Sequence, residues 1–198
     1  FRRVLFRSLG DHGLKEKLGF FEQSYHILGI VRDPSLASRN GTTVDHFTEN
    51  VDILPTIAEA LGQPVPKQCD GLPLTPLLEG KSVEHWRTAA SYEYDWRHFF
   101  IRMQEREWPW DRRMEMQNLA VRRYDDLAYV QFGDGTWLCF DTKTDPSWRT
   151  TIDDPSVVLP LAQDMLTWRS RHLNRDLTGM LNEKGGIGEW PVGVPWRT

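Results

Sequence analysis

Residues 118–141 read NLAVRRYDDLAYVQFGDGTWLCFD. Three short runs rich in Leu, Val, Tyr, Phe and Trp, namely Asn118 to Arg123, Ala128 to Phe132 and Trp137 to Asp141, are predicted as strands. Gly133-Asp134-Gly135 closes the last two into a tight hairpin, because glycines beside an Asp tolerate the backbone angles of such a turn. Ala89 to Trp96 adds a further strand, and an antiparallel sheet is the economical way to join them.

Toward the C-terminus, Pro155 opens a long amphipathic helix over Val158, Leu161, Ala162, Met165, Leu166 and Trp168, expected to cover one face of that sheet and bury its apolar side. Beyond Leu173 the tail NRDLTGMLNEKGGIGEWPVGVPWRT is rich in Gly, Pro and Trp and needs a partner surface to be ordered. Trp190 and Trp196 fit an arm that wraps a neighbouring protomer. Toward the N-terminus, residues 63–80 carry four prolines and read as an irregular connector with a short helical turn near Leu77. Thr48 or Asn50 can cap a helix running to about Leu61, with Val51, Leu54, Ile57, Ala58 and Leu61 as its apolar face and Gly62 as its stop. Pro55 sits early enough in that helix to be tolerated. Gly29 to Asp33 is a short apolar run before Pro34 and predicts a buried strand.

Composition bounds the function. The chain of 198 residues is 39% hydrophobic and 26% charged, with a formal net charge of −4, and its two charge signs are interspersed. Neither a nucleic-acid-binding stripe nor a polybasic membrane patch is present, and no apolar run approaches the roughly 20 residues of a membrane span. Cys69 and Cys139 lie far apart without CxxC spacing, which supports neither a zinc site nor a disulfide scaffold and points to reduced thiols in a cytoplasmic protein.

The chemistry-bearing residues concentrate in residues 9–34, LGDHGLKEKLGFFEQSYHILGIVRDP, where Asp11, His12, Lys15, Lys17 and Tyr25 stand between glycines. Lys15 or Lys17, with His12 and Tyr25, could hold a negatively charged ester: an ammonium binds phosphate or sulfate oxygens and a nearby imidazole can protonate a leaving group. The plainer reading makes Asp-His-Gly a turn and both lysines solvated.

LGDHGLKEKLGFFEQSYHI resembles the segment that follows the metal-binding Ser-Asp-His-Gly-Glu of the sulfatases of the alkaline phosphatase-like superfamily, above all the phosphonate monoester hydrolases and arylsulfatases. VDILPTIAEALG, CDGLPLTPLLEG, WRTAASYEYDWR, LAVRRYDDLAYVQF and LTWRSRHLNRDLTG continue the likeness in the same order. The resemblance implies an α/β fold: the end of the main α/β sheet plus a small C-terminal antiparallel sheet covered by a long helix. It divides the chain into a non-native leader at 1–8, the end of the catalytic domain at 9–88, a sheet subdomain at 89–175 and the Gly/Pro/Trp tail at 176–198. It also implies a small phosphonate, phosphate or sulfate ester as substrate and a homo-oligomer held through the tail.

By that register Asp11 and His12 match the second of the family's two Asp-His pairs, so metal ligands are expected upstream and none in this chain. The Cys/Ser-x-Pro/Ala-x-Arg motif that yields formylglycine is likewise absent, since Asp-Gly-Leu follows Cys69 and Phe-Asp-Thr follows Cys139. The intact parent is therefore expected to hold a divalent cation, Mn2+ or Ca2+, and a formylglycine whose gem-diol attacks phosphorus or sulfur, and the isolated chain is expected to be inactive. Lys17 falls at the family's active-site lysine, which implies a catalytic contact to a nonbridging or leaving-group oxygen. Lys15 falls where relatives vary and reads as surface. His12 is left between a substrate-binding place in the pocket wall and a structural hydrogen bond, and Tyr25 is expected to pack under the loop.

Two further clusters take structural readings. Alternation puts Glu93, Asp95 and Arg97 on one side of a strand as an ion-paired network, and Trp108, Trp110 and Arg102, Arg106, Arg112 and Arg113 read as an insertion packed against another subunit or the mouth of the pocket rather than as an aromatic-basic binding surface. The alternative to the hydrolase is a noncatalytic interaction module using the Trp-rich sheet and tail.

Overall fold

A computed structural model describes residues 8–9, 12, 15–16, 19–66, 69–95 and 118–172. The elements, in chain order, are β1 (Ser8–Leu9), β2 (Lys15–Glu16), α1 (Glu22–Tyr25), α2 (Ile53–Ala60), α3 (Thr75–Leu78), β3 (Ala90–Asp95), β4 (Asn118–Arg123), β5 (Leu127–Phe132), β6 (Trp137–Asp141) and α4 (Pro155–Arg171). The chain is α/β, built in two compact units: Phe1–Val31 with Ser91–Gln163, and Arg32–Ala90 with Asp164–Thr198.

The first unit is organised by the expected antiparallel sheet, in the order β3-β4-β5-β6. Its register pairs Leu119 with Phe132, Val121 with Val130 and Ala128 with Phe140. Because successive side chains alternate, Leu119, Val121, Ala128, Val130 and Phe140 fall on one face, where they form the core with Trp148, and Phe20, Phe21 and Tyr92 pack against it. The opposite face is also covered at its centre, with Ala120, Arg122, Tyr129 and Cys139 all buried. Arg122 is tolerated there because Nη1 donates to Ser91 Oγ at 2.7 Å and its guanidinium lies 5.6 Å from the Tyr124 ring.

The β5–β6 hairpin has the turn its glycines announced. Gly135 takes φ +90, and Asp134 Oδ1 accepts from Thr136 N at 2.9 Å and Thr136 Oγ1 at 2.6 Å. After β6 the chain bends through Asp145–Trp148 and returns at Thr151 to bridge Phe140. Asp154 then starts α4, its Oδ1 accepting from Ser156 N and its carbonyl from Val157 N and Val158 N, with Pro155 at the first helical position. Val158 and Met165 are the buried positions of α4, whereas Leu166, expected on the same face, is exposed.

In the second unit, α2 follows a 3-10 turn at Asn50–Asp52. Its expected apolar face is buried only at Ala58: Val51, Leu54, Ile57 and Leu61 are exposed, while Asp52 and Pro55 are buried beside Ala58. The reason is Asp52. Its carboxylate is fully buried and holds Arg87 through both oxygens, Nη2 to Oδ1 at 2.6 Å and Nη1 to Oδ2. The same two oxygens accept from Leu72 N at 2.8 Å and Glu49 N at 2.7 Å. Gly71 lies so close that a Cβ there would stand 2.0 Å from Val51 O, which explains the glycine before Leu72. Trp86 completes the corner, its Nε1 donating to Phe47 O at 2.6 Å.

The buried strand expected at Gly29 to Asp33 is not present. The segment forms no ladder among the described residues, and Leu28, Ile30 and Val31 are exposed. Periodicity cannot separate a strand from an extended segment without a paired neighbour. Among the described residues no helix is long and apolar enough to cross a membrane.

Candidate active site

Lys17 and Asp11 lie outside the described residues, as do Arg97, Trp108, Trp110 and the tail tryptophans. The elements on either side of Lys17 are described. β1 and β2 pair antiparallel, Ser8 opposite Glu16 and Leu9 opposite Lys15, so the Asp-His-Gly stretch connects two strands of a small hairpin. His12 sits in that connection with φ +55, in the left-handed region that a residue with a Cβ rarely adopts. Its ring lies flat on Phe21, with centroids 3.6 Å apart and an interplanar angle of 2°.

On the far side of Lys17, Gly19 turns the chain with φ +80 and Phe20 enters the sheet's core. Phe20 meets Phe132 edge-on at 5.9 Å and Phe140 at 6.0 Å, and Phe21 meets Trp148 edge-on at 6.1 Å. Aromatic contacts of this kind contribute about 0.5–1.5 kcal/mol each beyond burial. Tyr92 donates its hydroxyl to Phe20 O at 2.8 Å. α1 then begins at Glu22, whose carboxylate reaches His26 Nδ1 at 3.2 Å and Arg123 Nε at 3.5 Å.

Tyr25 stacks on Tyr92 with centroids 4.3 Å apart, and the loop it was expected to pack under lies mostly outside the described residues. Burial is the main cause that raises the Tyr25 phenol to about 12, and burial also pushes the Tyr92 phenol up, so neither is a base near neutral pH. Both cysteines are free and buried, and burial raises the Cys139 thiol, the opposite of an activated nucleophile. Among the described residues no three His, Cys, Asp or Glu side chains converge as metal ligands. Glu93 and Asp95 lie exposed on β3.

The described residues therefore supply a short hairpin before Lys17 in the sequence and an aromatic cluster after it. Two features escaped the reading of the sequence. Trp148 stands alone in a polar turn, and only the paired Phe20-Phe21 hinted at a partner for it. The Asp52–Arg87 pair joins residues with no spacing signal between them.

Residues 10–170 match the family described as N-sulphoglucosamine sulphohydrolase, C-terminal. The chain is similar to the multifunctional alkaline phosphatase superfamily protein PehA of Trinickia caryophylli, 32% identical over 183 residues that make up 90% of this chain and 35% of that protein. It is 30% identical to the N-acetylglucosamine-6-O-sulfatase of Bacteroides thetaiotaomicron over 147 residues, 73% of this chain and 24% of that one. The phosphonate monoester hydrolase of Agrobacterium radiobacter superimposes with a TM-score of 0.74 at 34% identity, covering 92% of this chain and 37% of its own. The chain thus spans between 24% and 37% of the length of these relatives. By the match over residues 10–170, the chain belongs to the sulphohydrolase C-terminal family of the alkaline phosphatase-like sulfatases.

Proposed function

We propose that the protein carrying this chain hydrolyses phosphonate monoesters, phosphodiesters or sulfate esters, and that this chain contributes Lys17 to its active site. The observation that carries the reading is the superposition on a phosphonate monoester hydrolase over 92% of the chain, with the Lys17 loop inside the family match at 10–170. The relatives' names include both phosphonate and sulfate chemistry, so the substrate class is a tetrahedral anionic ester.

In that reaction negative charge grows on the nonbridging and leaving-group oxygens as the ester bond breaks. A positioned ammonium stabilises the transition state more than the ground state, which is the role proposed for Lys17. The cation, Mn2+ or Ca2+, and the formylglycine belong to this proposal too, both held by residues of the parent protein outside this chain. The proposed contribution of this chain is the charged side chain of Lys17, three residues ahead of Phe20 in the sequence.

The test uses the complete protein. Lys17→Ala is expected to lower kcat/KM for an aryl phosphonate or aryl sulfate on the order of 100- to 1000-fold, the effect of removing one transition-state donor. Bound metal, read by elemental analysis, stays unchanged. Full activity in the variant removes Lys17 from the site, and a panel of both esters ranks the substrates.

A further inference from the structure

A glycine directly follows an Asn or Asp three times in the chain, at Asn40-Gly41, Asp70-Gly71 and Asp134-Gly135. Such pairs are chemically labile, because glycine has no side chain to keep its amide nitrogen away from the carbonyl carbon of the preceding side chain. Ring closure between the two needs a peptide with room to rotate and groups not committed to other bonds.

Two of the three positions lack these conditions. A Cβ at Gly71 would stand 2.0 Å from Val51 O, so the Asp70-Gly71 peptide is wedged against backbone. At the hairpin, Asp134 Oδ1 accepts from Thr136 N and Oγ1, and Gly135 N donates to Phe132 O at 3.2 Å. Asn40 differs on both counts. It follows the 3-10 turn at Pro34–Arg39, and with φ −57 and ψ 135 at Asn40 and φ +79 at Gly41 the backbone makes a type II corner. Thr42 N closes that corner by donating to Arg39 O at 3.2 Å, which leaves the Gly41 N–H out of the turn's bonding. Among the described residues neither the Gly41 N–H nor the Asn40 carboxamide has a hydrogen-bond partner. Both residues are exposed, and nothing stands within 4 Å of a Cβ at Gly41.

We propose that Asn40 is a self-modification site, at which the Gly41 nitrogen attacks Asn40 Cγ and converts the asparagine through a succinimide to isoaspartate. The bond from nitrogen to Cγ forms as the bond from Cγ to Nδ2 breaks; the Gly41 amide proton goes to solvent, and Nδ2 takes up a proton and leaves as ammonia. Water then opens the ring. Addition at the main-chain carbonyl breaks its bond to the Gly41 nitrogen and leaves the chain running through Cγ as isoaspartate, whereas addition at Cγ gives aspartate. Either product carries a new carboxylate directly after Arg39, whose Nε donates to Leu78 O at 3.4 Å and whose guanidinium lies 2.7 Å from where a Gly80 Cβ would stand. The change therefore falls where this loop is fastened to the end of α3. It needs no enzyme and does not depend on the hydrolase activity proposed above.

The test follows the complete protein over time at mildly alkaline pH, with peptide mass mapping to read amide loss and chromatography to separate isoaspartate from aspartate. Amide loss at Asn40 is expected to run on the order of 10-fold faster than at Asn50 or Asn118, whose following residues, Val51 and Leu119, crowd the attacking nitrogen. The rate is expected to rise with pH, since that nitrogen must shed its proton, and isoaspartate is expected to exceed aspartate. Gly41→Ala, which puts a methyl group beside the nitrogen, is expected to slow the loss on the order of 10-fold. Asp70 and Asp134 are expected to stay unchanged in the folded protein and to yield isoaspartate once urea unfolds it. Amide loss at Asn40 no faster than at Asn50 overturns the proposal, and so does aspartate without isoaspartate, the mark of direct hydrolysis. Isoaspartate at Asp70 or Asp134 of the folded protein ahead of Asn40 overturns it as well.

Discussion

Both carboxylate oxygens of Asp145 accept hydrogen bonds from the turn that follows it: Oδ1 from Ser147 N and Oγ, Oδ2 from Arg149 N at 2.7 Å and Thr150 N at 2.8 Å. Inside that turn Trp148 takes φ +53 and points its ring into the core against Phe20, Phe21 and Phe140. One surface carboxylate thus holds a large buried side chain in a backbone conformation it would otherwise avoid. The Ser147 hydroxyl, followed by the Thr150 and Arg149 amides, lowers the Asp145 carboxyl from 3.8 to about 2. A carboxyl whose folded-state value is depressed contributes stability above its unfolded value and loses it as pH falls through the folded one. The stability advantage of the parent over Asp145→Ala is therefore expected to be full at pH 5 and to vanish between about pH 4 and pH 2, as thermal unfolding across that range would show. A constant difference down to pH 2 would mean that the carboxylate's charge is not what holds the turn. Asp-Pro-Ser-Trp could be read in the sequence as a turn, but nothing local says where its tryptophan goes.

At the scale of elements, local patterning sufficed wherever partner strands are sequence neighbours. β4 and β6 have the bounds read from the chain and β5 starts one residue earlier, because alternation and the Gly-Asp-Gly turn act over a few residues. α2 shows where that logic stops. Helical spacing predicted its existence, yet of the apolar face Val51, Leu54, Ile57, Ala58 and Leu61 only Ala58 is buried. The stripe with Asp52 is buried because Arg87, brought in from 35 residues away, pairs with its charge. Binary patterning scores a buried Asp as surface and has no way to see its partner. Removing that partner leaves an uncompensated buried charge, so Arg87→Met is expected to cost about 3–5 kcal/mol, read as a lower urea midpoint. Arg87→Lys is expected to recover only part of the loss, since one ammonium cannot make the two-pronged contact. A midpoint for Arg87→Met equal to the parent's would show that the pair carries no stability.

For the whole molecule, the proposed division of labour has a direct consequence. The chain corresponds to 35% of PehA and 37% of the Agrobacterium enzyme, and its described residues contain no metal-ligand cluster. The 198-residue chain alone is expected to release no product from an aryl phosphonate or aryl sulfate under conditions where the complete protein does, as a chromogenic assay would show. Turnover by the chain alone would place a complete site within these residues and remove the need for a cation and nucleophile elsewhere. By itself the sequence determined the family, through runs such as LGDHGLKEKLGFFEQSYHI, and the sheet, its hairpin and the helix that Pro155 opens, because propensity, alternation and turn chemistry act within a few residues. Only the tertiary structure decided which side of α2 faces inward, that Arg87 neutralises Asp52, and that Phe21 meets both the His12 ring and the Trp148 edge. Those are contacts between distant stretches, and a buried charge or a left-handed histidine is stable only once the chain's path has brought its partner to it.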